Sequence, residues 1–357
     1  MSPLLTAVRL PLELVSFAVA LLASLALTVP VRRLALQIGM VDLPGPRKLH
    51  LAPIPLLGGL AIYSGVLLAG LASLDVVVGS QVYAILAGAT LLALVGILDD
   101  RGWLHHQVKL FVGMPVAALI LLASGIRTHV LSFLWPDSPG VLLDSCLTVL
   151  WVVGMTAAFS ILDHMDGLCA GVAAVASAFF TLFAMLNGQL LVSTLAAAVF
   201  GASLGFLRWN FNPAKIFMGD GGAMFLGFML ATLAIKLRPS APAPVISWLI
   251  PVLVLVVPVF DTTLISVSRA RRGLIPFTSP GTDHAAHRLA SFGLGQRGAV
   301  LTLYALGTLG GLLALLVSRL PVRSALVVVG LLFLLAAAAI LFLERAPFER
   351  QYRRPQG

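Results

Sequence analysis

Long apolar runs recur along almost the whole 357-residue sequence, separated by short polar, glycine-rich or proline-rich stretches. The hydrocarbon core of a bilayer needs roughly 20 apolar residues per helix, and a helix satisfies its own backbone polar groups there. Since 59% of the residues are apolar and only 10% are charged, a soluble domain does not account for the pattern. The sequence therefore predicts an all-α, polytopic integral membrane protein.

The apolar runs predict eleven transmembrane helices in a single domain over residues 1–357, with a short basic tail at 344–357. The spans cover approximately 11–30, 54–73, 81–98, 108–125, 141–159, 168–187, 189–207, 221–237, 245–266, 298–318 and 323–343. Only "NGQ" separates the sixth span from the seventh, so ten spans are the alternative. Near Pro115 and Pro258 a helix is expected to kink rather than end.

The distribution of basic residues predicts the orientation of these spans. With eleven spans, 17 of the 23 Lys and Arg residues lie on the side of the C-terminal tail, and 6 lie on the other side. The positive-inside rule then predicts a protein of the cell membrane with its N-terminus outside and its C-terminal tail on the cytoplasmic side. This asymmetry explains the net charge of +9. A nucleic-acid surface is not indicated, because the basic residues are spread over short loops.

Polar stretches of unusual composition lie on the predicted cytoplasmic face. They read "PGPRKLHLAPIPLLGG", "LDDRGWLHHQVK", "SILDHMDGLCAG", "RWNFNPAKIFMGDGG" and "FDTTLISVSRARRGLIPFTSPGTDHAAHRL". Ionisable groups at the ends of membrane helices are costly unless they are paired, hydrated or bound to an ion. A single aspartate in such a position is compatible with an ordinary solvated loop. Five such stretches on one face predict a shared functional site.

Two pairs of aspartates are candidate site residues. Asp99 and Asp100 are adjacent, and neighbouring residues on a helix point about 100° apart. One of them is expected to face the site while a cation such as Arg101 holds the other. Asp163 and Asp166 are three residues apart, which predicts that they share one helical face. Such a pair suits a metal or phosphate site in which a cation offsets the repulsion between the carboxylates.

Asp220, in "FMGDGGAMFLGF", begins the eighth span, where it either serves a ligand or caps the helix. Basic partners on the same side are Lys48, His50, Lys109, Arg269, Arg271, Arg272, His284, His287 and Arg288. This mixture suits phosphates bridged by Mg²⁺, which needs only one or two carboxylates besides phosphate oxygens and water. Zinc is disfavoured, because no third His or Cys ligand is evident near His284 and His287.

Several function classes lack their usual markers in this sequence. There is no G-x-x-x-x-G-K-[ST] phosphate-binding loop and no G-x-S-x-G nucleophile motif. ATP-driven transport and serine hydrolysis are therefore not indicated. A non-catalytic lipid or solute transporter is the alternative from another class. It would be expected to concentrate ionisable residues near the bilayer midplane rather than at one surface.

Five motifs, in order, resemble the polyprenyl-phosphate N-acetylhexosamine-1-phosphate transferase family of the MraY/WecA type. They are "RKLH" with "PIPLLGG", "LDDR" with Lys109 downstream, "SILDHMDGLCAG", "NPAKIFMGDGGAMFLGF", and "PF" with "DHAAHRL". The resemblance implies a Mg²⁺-dependent enzyme, with Mn²⁺ as the other candidate ion, at the cytoplasmic face. Such an enzyme transfers a sugar-1-phosphate from a UDP-sugar to a polyprenyl phosphate, giving a polyprenyl-diphospho-sugar and UMP.

The resemblance is closer to the WecA-like branch, which implies N-acetylglucosamine-1-phosphate as the transferred group and undecaprenyl phosphate as the acceptor. The reaction would be the first membrane step of a cell-envelope glycan. A phospho-MurNAc-pentapeptide transferase is the runner-up. It is disfavoured because "DHAAH" lacks the contiguous histidine run of that branch. A homodimer is left open, because no motif decides the oligomeric state.

The resemblance also implies roles for individual residues. Asp220 would be the principal Mg²⁺ ligand, with Ser160 at a metal-proximal position. The carboxylates in catalytic positions would be Asp99, Asp100, Asp163 and Asp166. Asp99 would be the base or orienting group for the acceptor phosphate. The substrate-binding residues would be Lys48, His50, Lys109, Asn212, His284, His287 and Arg288, of which the last three would hold donor phosphates.

This sequence departs from the family pattern at five positions. Ala157 and Ser160 stand where the family usually has asparagines, and His164 replaces a common small residue between two aspartates. In the histidine motif, Thr282 replaces a frequent Arg, and Ala286 stands where some members have His. A serine hydroxyl is a shorter and weaker ligand than an amide oxygen. The departures are therefore expected to affect the metal site and the choice of sugar.

Overall fold

The computed structural model describes residues 11–44, 52–72, 79–132, 137–241, 243–274, 281 and 283–346. Its α-helices are α1 (Leu12–Gln37), α2 (Gly59–Ala72), α3 (Ser80–Asp100), α4 (His106–Val108), α5 (Met114–Ala123), α6 (Ser138–Leu162), α7 (Leu168–Leu186), α8 (Leu190–Asn210), α9 (Gly219–Lys236), α10 (Pro244–Val254), α11 (Val256–Arg271), α12 (Ala285–Leu289), α13 (Gly295–Arg319) and α14 (Val322–Leu343). Two π-helical turns, Lys109–Gly113 and Ala290–Leu294, join α4 to α5 and α12 to α13.

The helices confirm an all-α, polytopic membrane architecture. Within the described residues, seven helical segments are long and apolar enough to cross a membrane, or eight if the bent pair α10 and α11 is one span. Each of the eleven predicted runs contains helix, but α2 and the Lys109–Ala123 segment are shorter than a full crossing. The count of eleven spans and the orientation of the termini therefore stay predictions. The "NGQ" boundary is confirmed, since α7 ends before it and α8 begins after it.

The chain bends sharply within the ninth predicted span. The axes of α10 and α11 differ by 80°, and the break lies at Leu255, three residues before Pro258. Pro258 thus falls in the first turn of α11, where a missing N–H group leaves no helix hydrogen bond unmade. The expected kink is confirmed. Asp261, the acidic residue in the middle of this apolar run, lies on α11 just after the bend.

Helix α9 lies at the centre of the bundle. All but two of its 18 residues are buried, and it contacts α2, α3, α6, α7 and α8. Two glycines allow this close packing, because a Cβ atom at Gly59 or Gly96 would collide with the main chain of α9 near Gly221 and Gly222. Small residues at such crossings are the usual means of helix association in membranes.

A short antiparallel pair of strands holds the segment that precedes α9. Strand β1 (Val41–Asp42) pairs with β2 (Ile54–Pro55). The Pro55 carbonyl accepts from the N–H of Phe217 at 2.8 Å, and the N–H of Gly59 donates to the Met218 carbonyl at 2.8 Å. The loop after α1 is therefore attached directly to the main chain that leads into α9.

Candidate active site

Four predicted site residues meet at the first turn of α9. The Nζ atom of Lys109 donates to Asp99 Oδ2 at 2.6 Å and to Asp220 Oδ2. The Ser160 hydroxyl donates to Asp220 Oδ1. These residues belong to the end of α3, the π-helical turn before α5, the end of α6 and the start of α9. The fold thus assembles them from positions that are up to 121 residues apart in the sequence.

Asp100 holds the main chain of α9 rather than facing the cluster. Its Oδ1 accepts from the N–H of Asp220 at 2.9 Å, and its Oδ2 accepts from the N–H of Gly221 at 3.2 Å. It therefore caps α9, whose first N–H groups have no partner within the helix. The alternative that Asp220 caps its own helix is wrong. We assign Asp100 a positioning role in place of the predicted catalytic one.

Asp99, which faces the site, pairs with Lys109. Asp100 is held by main-chain N–H groups and not by a cation such as Arg101, which corrects the expectation for this aspartate pair. The Arg101 guanidinium lies over the ring of Trp103, 5.1 Å from its centroid. Because Lys109 follows ten residues after Asp99, across a turn, the pairing depends on how the chain folds back and not on helical spacing.

The prediction that Asp163 and Asp166 share a helical face is wrong. Both lie in the turn between α6 and α7. Asp166 Oδ2 accepts from Asn212 Nδ2 at 2.9 Å and from the N–H of Ala214 at 3.0 Å. The Asp163 carboxyl instead lies near the N–H of Gly219, which favours its ionised form. The two carboxylates thus face two different points of the segment that leads into α9.

The carboxylates around α9 cannot all ionise readily with Lys109 as their cation. Burial raises the pKa of the Asp163 carboxyl to about 8, and the nearby Asp220 and Asp100 carboxylates add to the rise. The N–H of Gly219 opposes it. A further cation in this region would relieve the repulsion.

Asn212 is held between protein groups on both sides. Besides Asp166, its Nδ2 donates to Gln296 Oε1 at 2.8 Å, and Arg297 Nε donates to its main-chain oxygen at 3.1 Å. Its predicted contact with substrate stays a prediction. Lys48, His50 and Thr282 lie outside the described residues.

The second part of the site is a cluster of histidines anchored by a buried aspartate. His284 Nδ1 lies 2.8 Å from Asp261 Oδ2, and Asp261 Oδ1 accepts from the N–H of Ala285 at 2.7 Å. The rings of His284 and His287 both contact the ring of His164. Asp261 was not among the predicted site residues. Its signal was a lone acid inside the apolar run "PVLVLVVPVFDTTLI", which is a functional indication by itself.

Arg288 does not fit its predicted role as a ligand of donor phosphates. Its side chain is 0% exposed. Its guanidinium donates to the Asp283 carbonyl at 2.7 Å, to Glu344 Oε1 at 2.7 Å and to the Ser268 hydroxyl at 2.8 Å. Arg288 therefore ties α12 to α11 and to the end of α14, and the corrected role is structural.

The histidine segment is held in place by a second ionic contact. Asp283 accepts two hydrogen bonds from Arg269, at 2.9 and 2.8 Å, and one from Arg272 at 2.6 Å. Burial alone would raise the pKa of this carboxyl, but the two guanidinium groups outweigh it and keep the pKa well below its usual range. Asp283 thus fixes the start of α12 against α11.

Comparison with known proteins identifies the family. The profile described as "Glycosyl transferase family 4" matches residues 82–238. A "Probable undecaprenyl-phosphate N-acetylglucosaminyl 1-phosphate transferase" of Bacillus subtilis (strain 168) is 35% identical over 347 residues, 95% of this chain and 96% of the relative. The chain belongs to glycosyl transferase family 4. This confirms the resemblance found in the motifs.

Two further relatives of this family 4 chain have similar names. The "Decaprenyl-phosphate N-acetylglucosaminephosphotransferase" of Mycolicibacterium smegmatis is 34% identical, covering 77% of this chain and 74% of the relative. The "Undecaprenyl-phosphate alpha-N-acetylglucosaminyl 1-phosphate transferase" of Escherichia coli (strain K12) is 29% identical, covering 75% of this chain and 74% of the relative. The profile match runs from the first turn of α3 to the end of α9 and therefore includes the whole cluster around Asp220.

The donor atoms of this family 4 site fit a hard divalent cation. Asp220 and Ser160 present oxygen atoms beside a further carboxyl group, Asp163, whose ionisation a cation would favour. Among the described residues, no group of three or more His, Cys, Asp or Glu side chains is arranged to hold a metal ion by itself. Mg²⁺ does not require such a cage, because it keeps water and takes phosphate oxygens as ligands.

Proposed function

We propose that the protein transfers N-acetylglucosamine-1-phosphate from UDP-N-acetylglucosamine to a polyprenyl phosphate such as undecaprenyl phosphate. The observation that carries this proposal is the meeting of Asp99, Lys109, Ser160 and Asp220 at the start of α9. The names of the relatives, which specify polyprenyl acceptors and N-acetylglucosamine phosphate, support it. Phosphoryl transfer asks mainly for positioning and charge neutralisation, which such a cluster supplies.

The proposed reaction is a displacement at phosphorus between two anionic substrates. An oxygen of the lipid phosphate attacks the β-phosphorus of the donor and forms the new P–O bond. The bond from that phosphorus to the bridging oxygen breaks, and this oxygen leaves with UMP. Direct attack is favoured, because the acceptor phosphate is already ionised near pH 7. Lys109 offsets the charge that gathers between the phosphates, and Asp99 orients Lys109 through its 2.6 Å contact.

Mg²⁺, held by Asp220 and Ser160, would supply charge neutralisation at the donor diphosphate. Asp100 keeps the first turn of α9 in place by accepting from the N–H groups of Asp220 and Gly221, so that Asp220 is presented in one orientation. His284 and His287 would hold the donor phosphates through their ring nitrogens, with His284 oriented by Asp261.

We place this site at the cytoplasmic face of the cell membrane, with the N-terminus outside. The excess of Lys and Arg in the loops on the side of the site supports this orientation. A water-soluble nucleotide-sugar and a lipid phosphate would meet at this surface. The proposed partners are therefore the UDP-sugar, the polyprenyl phosphate and the membrane, without a nucleic acid.

A panel of donors tests the proposed reaction. Purified protein in detergent is given undecaprenyl phosphate, Mg²⁺ and one donor at a time: UDP-N-acetylglucosamine, UDP-N-acetylgalactosamine or UDP-MurNAc-pentapeptide. We expect the lipid-linked product to form fastest with UDP-N-acetylglucosamine. Preference for the pentapeptide donor would favour the other branch. Absence of lipid product from every UDP-sugar that the protein binds would refute the enzyme assignment.

Ser160→Asn is expected to lower the Mg²⁺ concentration needed for half-maximal activity by roughly threefold to tenfold, because an amide oxygen is a better ligand for Mg²⁺ than a hydroxyl. The measurement is a Mg²⁺ titration of the initial rate at saturating substrates. Ser145→Asn, near the other end of the same helix, is the matched control. An unchanged or higher Mg²⁺ requirement in Ser160→Asn would remove Ser160 from the metal site.

A further inference from the structure

His164 lies between the two histidines of the proposed donor site. Its ring centroid is 4.1 Å from that of His284 and 4.7 Å from that of His287, with interplanar angles of 31° and 32°. The His284 and His287 rings are 6.2 Å apart and inclined at 62°. Both rings therefore pack more closely and more nearly parallel against His164 than against each other.

The ring of His164 is itself held by the main chain. Its Nδ1 lies 3.1 Å from the carbonyl oxygen of Ile161. A carbonyl oxygen can only accept, so Nδ1 carries the proton and donates. Since Ile161 is in the last turn of α6, the ring is fixed to the same turn that carries Asp163 and Asp166. His164 thus connects the carboxylate part of the site with the histidine part.

The remaining nitrogen of His164 does not explain why an imidazole is needed here. Its Nε2 is inaccessible and finds no hydrogen-bond partner among the described residues. A buried acceptor without a partner is unfavourable, and replacing such an atom by carbon can be neutral or stabilising. Among the described residues, no group of three or more His, Cys, Asp or Glu side chains is arranged to hold a metal ion, so the three imidazoles do not form a metal site by themselves. The face of the ring is the part of His164 that makes contacts.

The two partners depend on this face to different degrees. His284 is anchored independently by Asp261 at 2.8 Å. For His287, the contacts found within the described part of the chain are the ring contacts with His164 and His284. His287 sits on α12, near the start of the helical segment that continues through a π-helical turn into α13. Loss of the His164 ring would therefore release mainly His287.

We propose that His164 is a positioning residue that fixes His287, and to a smaller degree His284, by ring stacking and so determines the affinity for the nucleotide-sugar donor. The proposal rests on the proposed function, in which these two histidines hold donor phosphates. It assigns a role to a residue at which this chain departs from the family motif.

Two substitutions separate the contribution of the His164 ring face from that of its nitrogen atoms. His164→Asn keeps an N–H donor for the Ile161 carbonyl but removes the ring, whereas His164→Phe keeps a ring and removes both nitrogens. We expect His164→Asn to weaken UDP-N-acetylglucosamine binding about fivefold to tenfold, as loss of aromatic packing would. His164→Phe is expected to stay within about twofold of wild type, because it keeps the ring face and loses only the hydrogen bond from Nδ1 to the Ile161 carbonyl. His129→Asn is the control, at an exposed loop by Asp144, roughly 30 Å away along α6.

The readouts are the dissociation constant of UDP-N-acetylglucosamine by calorimetry and, from turnover, KM and kcat. A rise in Kd and KM with nearly unchanged kcat is expected for His164→Asn, whereas partial unfolding would lower kcat at constant KM. Unchanged affinity in His164→Asn would overturn the proposal, whether or not His164→Phe folds. If His164→Asn and His164→Phe both fold and lose the same donor affinity, that result would also overturn the proposal. Calorimetry measures donor binding without turnover. If the proposed transferase function is wrong, wild-type protein forms no lipid product, and this result is distinct from a change of affinity in the His164 variants.

Discussion

Asp220→Asn is expected to reduce turnover at least about a thousandfold at ordinary Mg²⁺ concentrations, because it removes the carboxylate that would hold the metal at the donor diphosphate. The amide keeps the size of the side chain, and the main-chain N–H of residue 220 still donates to Asp100. The protein is therefore expected to stay folded. The measurement is the initial rate of lipid-linked product formation, with size-exclusion chromatography in detergent to confirm the fold.

Asp137→Asn is the matched control for this change, since Asp137 lies just before α6, at the end opposite Ser160. It removes the same charge from an exposed position and is expected to leave the rate near that of wild type. Substantial activity in Asp220→Asn would mean that the metal is held elsewhere.

Lys109→Gln is expected to reduce kcat about a hundredfold or more, the scale associated with losing a charge-stabilising group in an active site. The substitution leaves the Asp99 and Asp220 carboxylates without the cation that now lies between them. It also removes the positive charge that would face the attacking and leaving phosphates. Initial rates over a range of donor concentrations separate the effect on kcat from that on KM.

Lys215→Gln tests whether general loss of positive charge explains such a result. Lys215 is exposed on the same face, and its Nζ lies 5.6 Å from the centroid of the Trp209 ring. We expect little change in this control. Comparable losses in the two variants would argue for a diffuse electrostatic effect, and near-wild-type kcat in Lys109→Gln would contradict the role assigned to Lys109.

The helical membrane fold was predictable because it depends on local composition. Twenty-residue apolar runs demand helices in a bilayer, and Pro258 is a strong local signal for a bend. The "NGQ" boundary was a weaker signal, which left ten spans as the alternative. The number of membrane crossings was harder to predict from the sequence. A run such as the one around α2 forms a short helix, and composition alone does not say how far it penetrates the membrane.

The identity of the site was predictable from its motifs, but its contacts were not. Asp99 and Asp220 were expected to lie together because both end or begin spans on one face. Helical spacing failed for Asp163 and Asp166, because the helix ends before them and Asp166 bonds the segment around Asn212 instead. The capping role of Asp100 depends on a helix more than 100 residues away, which no local pattern indicates.

The histidine segment shows the same limit. A basic residue next to two histidines is a reasonable phosphate ligand by type, yet Arg288 is enclosed by the ends of other helices. Burial of this kind is decided by long-range packing. Asp261 had a usable signal, an acid in an apolar run, but its partner His284 lies 23 residues further along the chain, and no local pattern links the two.

The most direct test of the central claim follows the β-phosphorus of the donor. Purified wild-type protein is incubated with UDP-N-acetylglucosamine labelled at the β-phosphate, undecaprenyl phosphate and Mg²⁺, and the lipid extract and the nucleotide product are analysed. Transfer of the sugar-1-phosphate predicts that the label enters the lipid together with the sugar and that UMP is released in equal amount. Label retained in UDP while the sugar enters the lipid, or no labelled lipid at all, would contradict the account.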